Sequence, residues 1–236
     1  MTTSGTSAFN LDLNNLVEEA YERCGTELRT GYDLRTARRS FNLLTIEWAN
    51  RGINLWTIEQ GSIVLTQGDI SYNLPVDTID LLDSVVRTQT GINQTDINIT
   101  RISASTYLTI PNKNAQGRPI QMWINRQSGA TEPTTGVDYP TVNVWPTPDQ
   151  DNFYTLIYYR LRRIQDAGNG VETPDIPFRF LPCLVAGLAY YLSLKIPGAL
   201  ERAGMLKQVY DEQWEFAADE DREKASLRLA PRQMFY

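Results

Sequence analysis

Apolar residues in this chain change their spacing twice, and those two changes limit the fold more than any single motif does. Near the N-terminus, Leu13, Leu16, Val17, Ala20, Tyr21 and Cys24 recur at the interval of one helix face. Asp12 stands where a cap satisfies the first free amides, and Gly25 follows where a left-handed terminator belongs. A second helix is expected from about Tyr32-Asp33, with Leu34, Ala37, Phe41, Leu44 and Trp48 buried and Gly52 as its stop. From Leu55 the interval becomes two. Trp56 and Ile58, Ile63 and Leu65, then Ile70, Tyr72 and Leu74 alternate with polar neighbours, as half-buried strands do. Gln60-Gly61 and Gln67-Gly68-Asp69 read as turns between them. Further strands are expected over 81–88, 96–102, 119–125, 141–145 and 153–164, and one short helix over 103–110. After a loop rich in Gly, Asn and Pro, the helical interval returns over 177–196, apolar almost all round. Pro197-Gly198 breaks it, and an amphipathic helix follows over 199–224.

Helix, then many short strands, then helix again predicts an α+β fold. Residues 1–54 and 172–236 are expected to pack as a discontinuous four-helix bundle built from both termini. Residues 55–171 form a β-rich insertion, sandwich or barrel-like, and 225–236 an extended C-terminal tail.

Composition removes several functions. The chain has 236 residues and a net charge of -6, from 22 basic and 28 acidic side chains, with no concentrated basic stripe. A dominant nucleic-acid surface is therefore not expected. There is no histidine, which excludes Ser-His-Asp and Cys-His catalysis and His-ligated metal sites. Cys24 and Cys183 are too few for a disulfide scaffold or a thiolate zinc site, and both read as small buried side chains. The first ten residues lack the basic and apolar regions of a secretory signal, and the longest uncharged run, Phe180 to Leu194, is too short to span a bilayer. A soluble protein of a reducing compartment is the expectation, with no membrane partner.

Catalytic constellations are weak. Asp77, Asp80 and Asp83 lie close in sequence, but on a strand Asp80 points opposite to the other two. Asp149 and Asp151 resemble the opening of a calcium loop without its Gly and distal Glu. No phosphate-binding loop, dinucleotide fingerprint or nucleophile elbow occurs, so no enzyme activity, cofactor or metal is expected.

Interaction chemistry is better represented. Of the 22 basic residues 18 are Arg, and they accompany 12 Tyr and 5 Trp, a palette suited to contact surfaces. The run from Asp211 to Glu223 is strongly acidic; an exposed helix face is the plain reading, and a negative wall along a DNA channel the sharper one. The tail carries Leu227, Leu229, Met234, Phe235 and Tyr236 among Arg222, Arg228 and Arg232, a makeup that fits docking into a partner better than free solvation.

The segments LDLNNLVEEAYERCG, TGYDLRTARRSFNLLTIEWANRGINLWTIE and QGDISYNLPVDTIDLLDSVVR resemble head-to-tail adaptor (connector) proteins of tailed bacteriophages. The nearest group is the tail accessory factor and tail tubular protein A class of short-tailed phages. The resemblance is strongest over Leu11 to Arg87 and rests on layout beyond it. It implies a non-enzymatic structural protein of the virion neck, assembled in the host cytoplasm. It further implies a homo-oligomeric ring of twelve copies beneath the portal protein, with double-stranded DNA passing through and tail nozzle or tail fibre proteins docking below. Carried onto this chain, Leu227, Arg228, Leu229, Arg232, Met234, Phe235 and Tyr236 become the portal-binding segment. Two further assignments come from the residues themselves: Arg35, Arg38 and Arg39 as subunit-interface candidates, and Glu215, Asp219 and Glu220 as channel-facing acids. Two alternatives stand beside this reading. One is a β-sandwich carbohydrate-binding or tail-fibre attachment module using Trp56, Trp123 or Trp145 as stacking platforms. The other is a carboxylate-based cell-wall hydrolase.

Overall fold

The computed structural model describes residues 3–6, 9–89, 91–126, 139–168 and 171–222. Helix α1 (Leu13–Cys24) begins where the Asp12 carboxylate accepts the Asn15 amide and ends at Gly25, with φ 80°. Helix α2 (Gly31–Arg51) begins slightly before the expected Tyr32-Asp33. A reciprocal capping box is the reason: Thr30 Oγ1 accepts the Asp33 amide at 3.2 Å and the Asp33 carboxylate accepts the Thr30 amide at 3.1 Å. Gly52, at φ 88°, ends it. Of the expected stripe, Ala37, Phe41, Leu44 and Trp48 are buried; Leu34 is only half-buried, and Ser40 and Thr45 are buried in addition.

The chain then enters β1 (Ile58–Val64), β2 (Ser71–Asn73), β3 (Thr78–Thr88), β4 (Thr95–Asn98), β5 (Thr100–Arg101), the short helix α3 (Ala104–Leu108), β6 (Gln121–Asn125), β7 (Thr141–Trp145) and β8 (Tyr154–Arg162). It returns to helix in α4 (Leu181–Ser193) and α5 (Ala203–Glu220). The fold is mixed α+β.

Two compact units result. One takes the described residues up to Leu55 and from Ile164 onward, the other Trp56–Arg163. In the first, α4 is the common support: α1, α2 and α5 each pack against it. Its sequence explains this, since ten of its thirteen residues, between Leu181 and Ser193, are buried. Burying Phe41, Leu44 and Trp48 of α2 contributes about 1.5–3 kcal/mol each relative to exposure, so packing rather than intrinsic propensity holds that helix.

Among the described residues of the second unit, eight strands form two four-stranded sheets, ordered β1-β8-β3-β4 and β2-β7-β6-β5. All pairings are antiparallel except β5 with β6. Leu81, Val86, Leu156 and Tyr158 of the first sheet share one apolar cluster with Met122, Ile124, Val142 and Val144 of the second. Both sheets are open, so of the two expected forms the barrel is not the one adopted. The expected turn at Gln60-Gly61 is also corrected. Gly61 lies inside β1 opposite Tyr158, and a Cβ there would meet the Tyr158 ring at 2.5 Å. Here glycine marks close packing of a buried ring over a strand, not a reversal.

Gly187 plays the equivalent part in α4. A Cβ at this position would stand 2.8 Å from the Tyr210 ring and 3.0 Å from Leu44, both buried. Gly187→Ala is therefore expected to lower unfolding stability by about 1–3 kcal/mol through overpacking, despite the better helix propensity of alanine. An unchanged denaturation midpoint for the variant contradicts this.

Candidate interaction surfaces

Where α2, α4 and α5 meet, one carboxylate organises the aromatic side chains. Glu47 accepts hydrogen bonds from the hydroxyls of Tyr191 and Tyr210 and pairs with Arg51 at 2.6 Å. Trp48 Nε1 donates to Tyr210 Oη at 3.1 Å, and the Arg51 guanidinium lies 4.6 Å from the Trp214 ring centre. Burial, then the Glu47 hydrogen bond and charge, push the Tyr191 phenol from its ordinary 10.0 up to about 12. This hub joins three helices through side-chain contacts. Burial pushes the Cys24 thiol up to about 11 and that of Cys183 up to about 12, so neither is a thiolate nucleophile at neutral pH.

The carboxylates of Asp77, just before β3, and of Asp80, within it, do not converge. Asp77 pairs with Arg160, which also holds Glu59 at 2.8 Å, while Asp80 pairs with Arg101 at 2.9 Å and Arg126 at 3.3 Å. For Asp77, burial raises the carboxyl's pKa but the hydrogen bond and charge of Arg160 outweigh it, and the net shift is downward. Asp77 and Asp80 thus serve different arginines, and Asp83 is exposed. Asp149 accepts the Tyr154 hydroxyl at 2.9 Å. Among the described residues no group of three or more Cys, Asp or Glu is placed to hold a metal ion, and no helix is long and apolar enough to cross a membrane.

The tryptophans suggested as sugar platforms are all partly covered. Trp123 already stacks on Tyr107 at 5.3 Å between ring centres, and Trp145 Nε1 donates to the Asn112 carbonyl at 3.0 Å.

What the helical unit does present is charged and apolar surface. Arg35, Arg38 and Arg39 come together with Tyr32 around a depression of about 530 Å³ on α2. Arg35 and Arg39 are exposed there and Arg38 half-buried. A second concavity, of about 740 Å³, runs along α1 and the start of α4, lined by Phe9, Leu11, Glu18, Glu22, Phe178 and Val185 among others. Nothing in the sequence pattern marks it, because its walls come from segments about 170 residues apart, and the only hint is the acidic outer face of α1.

On α5, Leu206, Tyr210 and Ala217 face the core, while Met205 and Phe216 are 59% and 60% exposed. Glu215 and Asp219 are exposed one turn apart, and Asp219 pairs with Arg222 at 2.7 Å. Glu220 lies about 140° round the helix from Glu215 and approaches Arg179 at 3.8 Å. Asp221, part of the same acidic run, has a structural task that sequence reasoning missed: its carboxylate accepts the Asn54 amide at 2.7 Å and the Leu55 amide at 3.3 Å. Leu227, Arg228, Leu229, Arg232, Met234, Phe235 and Tyr236 lie outside the described residues.

The family model described as SU10 adaptor protein matches residues 12–232. Among curated proteins none matches the chain.

Glu47→Gln is expected to cost about 1.5–3 kcal/mol, the range for hydrogen bonds to a charged group, and to bring the Tyr191 titration down from about 12. Because the folded value is raised, the Tyr191 contribution is complete below pH 10 and fades as pH rises towards 12. Absorbance titration of the tyrosines together with urea denaturation checks both effects. An unshifted titration and an unchanged midpoint contradict the role of the hub.

Proposed function

Because the chain belongs to the SU10 adaptor protein family, whose members are phage head-to-tail adaptors, we propose that it forms a ring beneath the portal of a short-tailed virion. The observation that carries the reading is the extent of the match, which covers the whole span from α1 to α5 and so takes in both the helical unit and the β-rich one. The role is structural: the ring extends the DNA channel and gives the tail a platform to dock on. Its copy number is twelve, by resemblance to the adaptors of short-tailed phages, and its place is the virion neck after assembly in the host cytoplasm.

The helices α1, α2, α4 and α5 act as one four-helix bundle, standing beside the same bundle of the next copy. Such contacts join unlike faces and close by rotation. Arg35, Arg38 and Arg39 belong to this lateral contact. Glu215 and Asp219, with Glu220 at the margin, face the channel, where negative charge repels phosphates and lets a duplex pass without sticking. Supporting this, both Glu215 and Asp219 are solvent-exposed on the side of α5 away from its core. Residues 225–236 bind the portal through Leu227, Leu229, Met234, Phe235 and Tyr236, with Arg228 and Arg232 pairing to acids beside them. Tail nozzle or tail fibre proteins then engage the β-rich unit.

Docking of 225–236 offsets the entropy of ordering subunits, so the free protein is a monomer and the ring forms on the portal. Analytical ultracentrifugation of the pure chain is expected to show a monomer, and electron micrographs of the chain mixed with portal to show rings. Deletion of 225–236 abolishes those rings. A stable closed ring without portal contradicts the dependence on the portal, and portal binding by the truncated chain contradicts the role of the tail.

A further inference from the structure

Two concavities of the helical unit complement each other. The groove along α1 is lined by three acids and two arginines among apolar groups: Glu19 pairs with Arg23 at 2.9 Å and Arg179 approaches Glu220 at 3.8 Å, which leaves Glu18 and Glu22 on its wall without an ion pair among the described residues, beside Phe9 and Phe178, which are 76% and 70% exposed. The outer face of α2 is basic and apolar. Arg35 makes no ion pair or hydrogen bond among the described residues, and Arg39 reaches only Thr36 Oγ1 at 3.4 Å. Next to them Tyr32 and Leu43 are 64% and 54% exposed.

The charges also match in pitch. Glu18 and Glu22 are four residues apart on one helix, and so are Arg35 and Arg39 on the other, so each pair spans about 6 Å along its axis. Within one chain the pairs do not satisfy each other. Helices α1 and α2 both lean on α4 and touch one another only slightly, and no bond joins these four side chains.

From this we infer that the groove formed by Glu18, Glu22, Phe9 and Phe178 receives the Arg35–Arg39 face of α2 from a second copy of the chain. The inference rests on the ring reading above and names the two surfaces that meet between neighbours. Because groove and basic face are different patches, each contact leaves a free groove at one end of the pair and a free basic face at the other. The contact therefore repeats from copy to copy until the ring closes. Opposite charges at the join set register and exclude wrong pairings, while the aromatic and aliphatic groups supply the buried area.

Charge exchange tests it. Two variants are made, Glu18→Arg with Glu22→Arg, and Arg35→Glu with Arg39→Glu, each checked for folding by circular dichroism and mixed with purified portal for ring counting by electron microscopy. Either variant alone sets like charges face to face and is expected to lower the ring count roughly tenfold or more. An equimolar mixture restores rings, since each reversed groove then meets a reversed face and each native groove a native face. If either variant alone forms rings as the wild type does, or if the mixture restores none, this interface is overturned while the ring reading stands. If the wild type itself forms no rings on portal, the ring reading falls. Should a reversal unfold the chain, Glu18→Gln with Glu22→Gln and Arg35→Gln with Arg39→Gln take its place, and undiminished ring counts for these overturn the interface equally.

Discussion

The absence of a side chain at Gly187 allows α4 to come close to α2 and α5 at once, and the rest of the helical unit is arranged around that approach. Tyr210 occupies the space a methyl group would take, and its hydroxyl accepts from Trp48 and donates to Glu47. Glu47 in turn accepts from Tyr191 and pairs with Arg51, whose guanidinium covers Trp214. Each buried polar atom in this chain of contacts has a partner, which is what keeps a carboxylate tolerable beside three aromatic rings. The helices before and after the β-rich unit are thereby tied into one body by side chains 162 residues apart in sequence.

Much of this was legible from local rules. Asp12, Gly25 and Gly52 announced helix ends, and each does so because a free amide or a left-handed turn needs that residue type. The strands at 121–125 and 141–145 followed from strict alternation, and Met122, Ile124, Val142 and Val144 are buried as alternation requires. The failures are equally physical. Gly61 reads as a turn on composition because the ring that needs its bare backbone, Tyr158, is far away in sequence. Glu47 and Asp221 look like surface charge on amphipathic helices; only the tertiary packing brings Tyr191 to one and the Asn54 amide to the other. A helical period shows which face is polar and says nothing about which polar residue has long-range work.

The same limit applied to the surfaces. Arg35, Arg38 and Arg39 cluster in sequence and therefore cluster on a helix, so their common patch was foreseeable. The acidic groove was not, because its walls come from both ends of the chain. The Asp-rich stretch of β3 illustrates the converse. Acids close in sequence look like a reaction centre until the fold hands Asp77 and Asp80 to different arginines.

Asp221 has a mechanical consequence. Its carboxylate fastens the end of α5 to the backbone of Asn54 and Leu55, where the chain leaves the helical body for its strands. A strain at the C-terminal end of α5 thus reaches the step towards β1 within one hydrogen bond, without travelling back along the helix. The close of the last helix and the way out to the first strand share a latch.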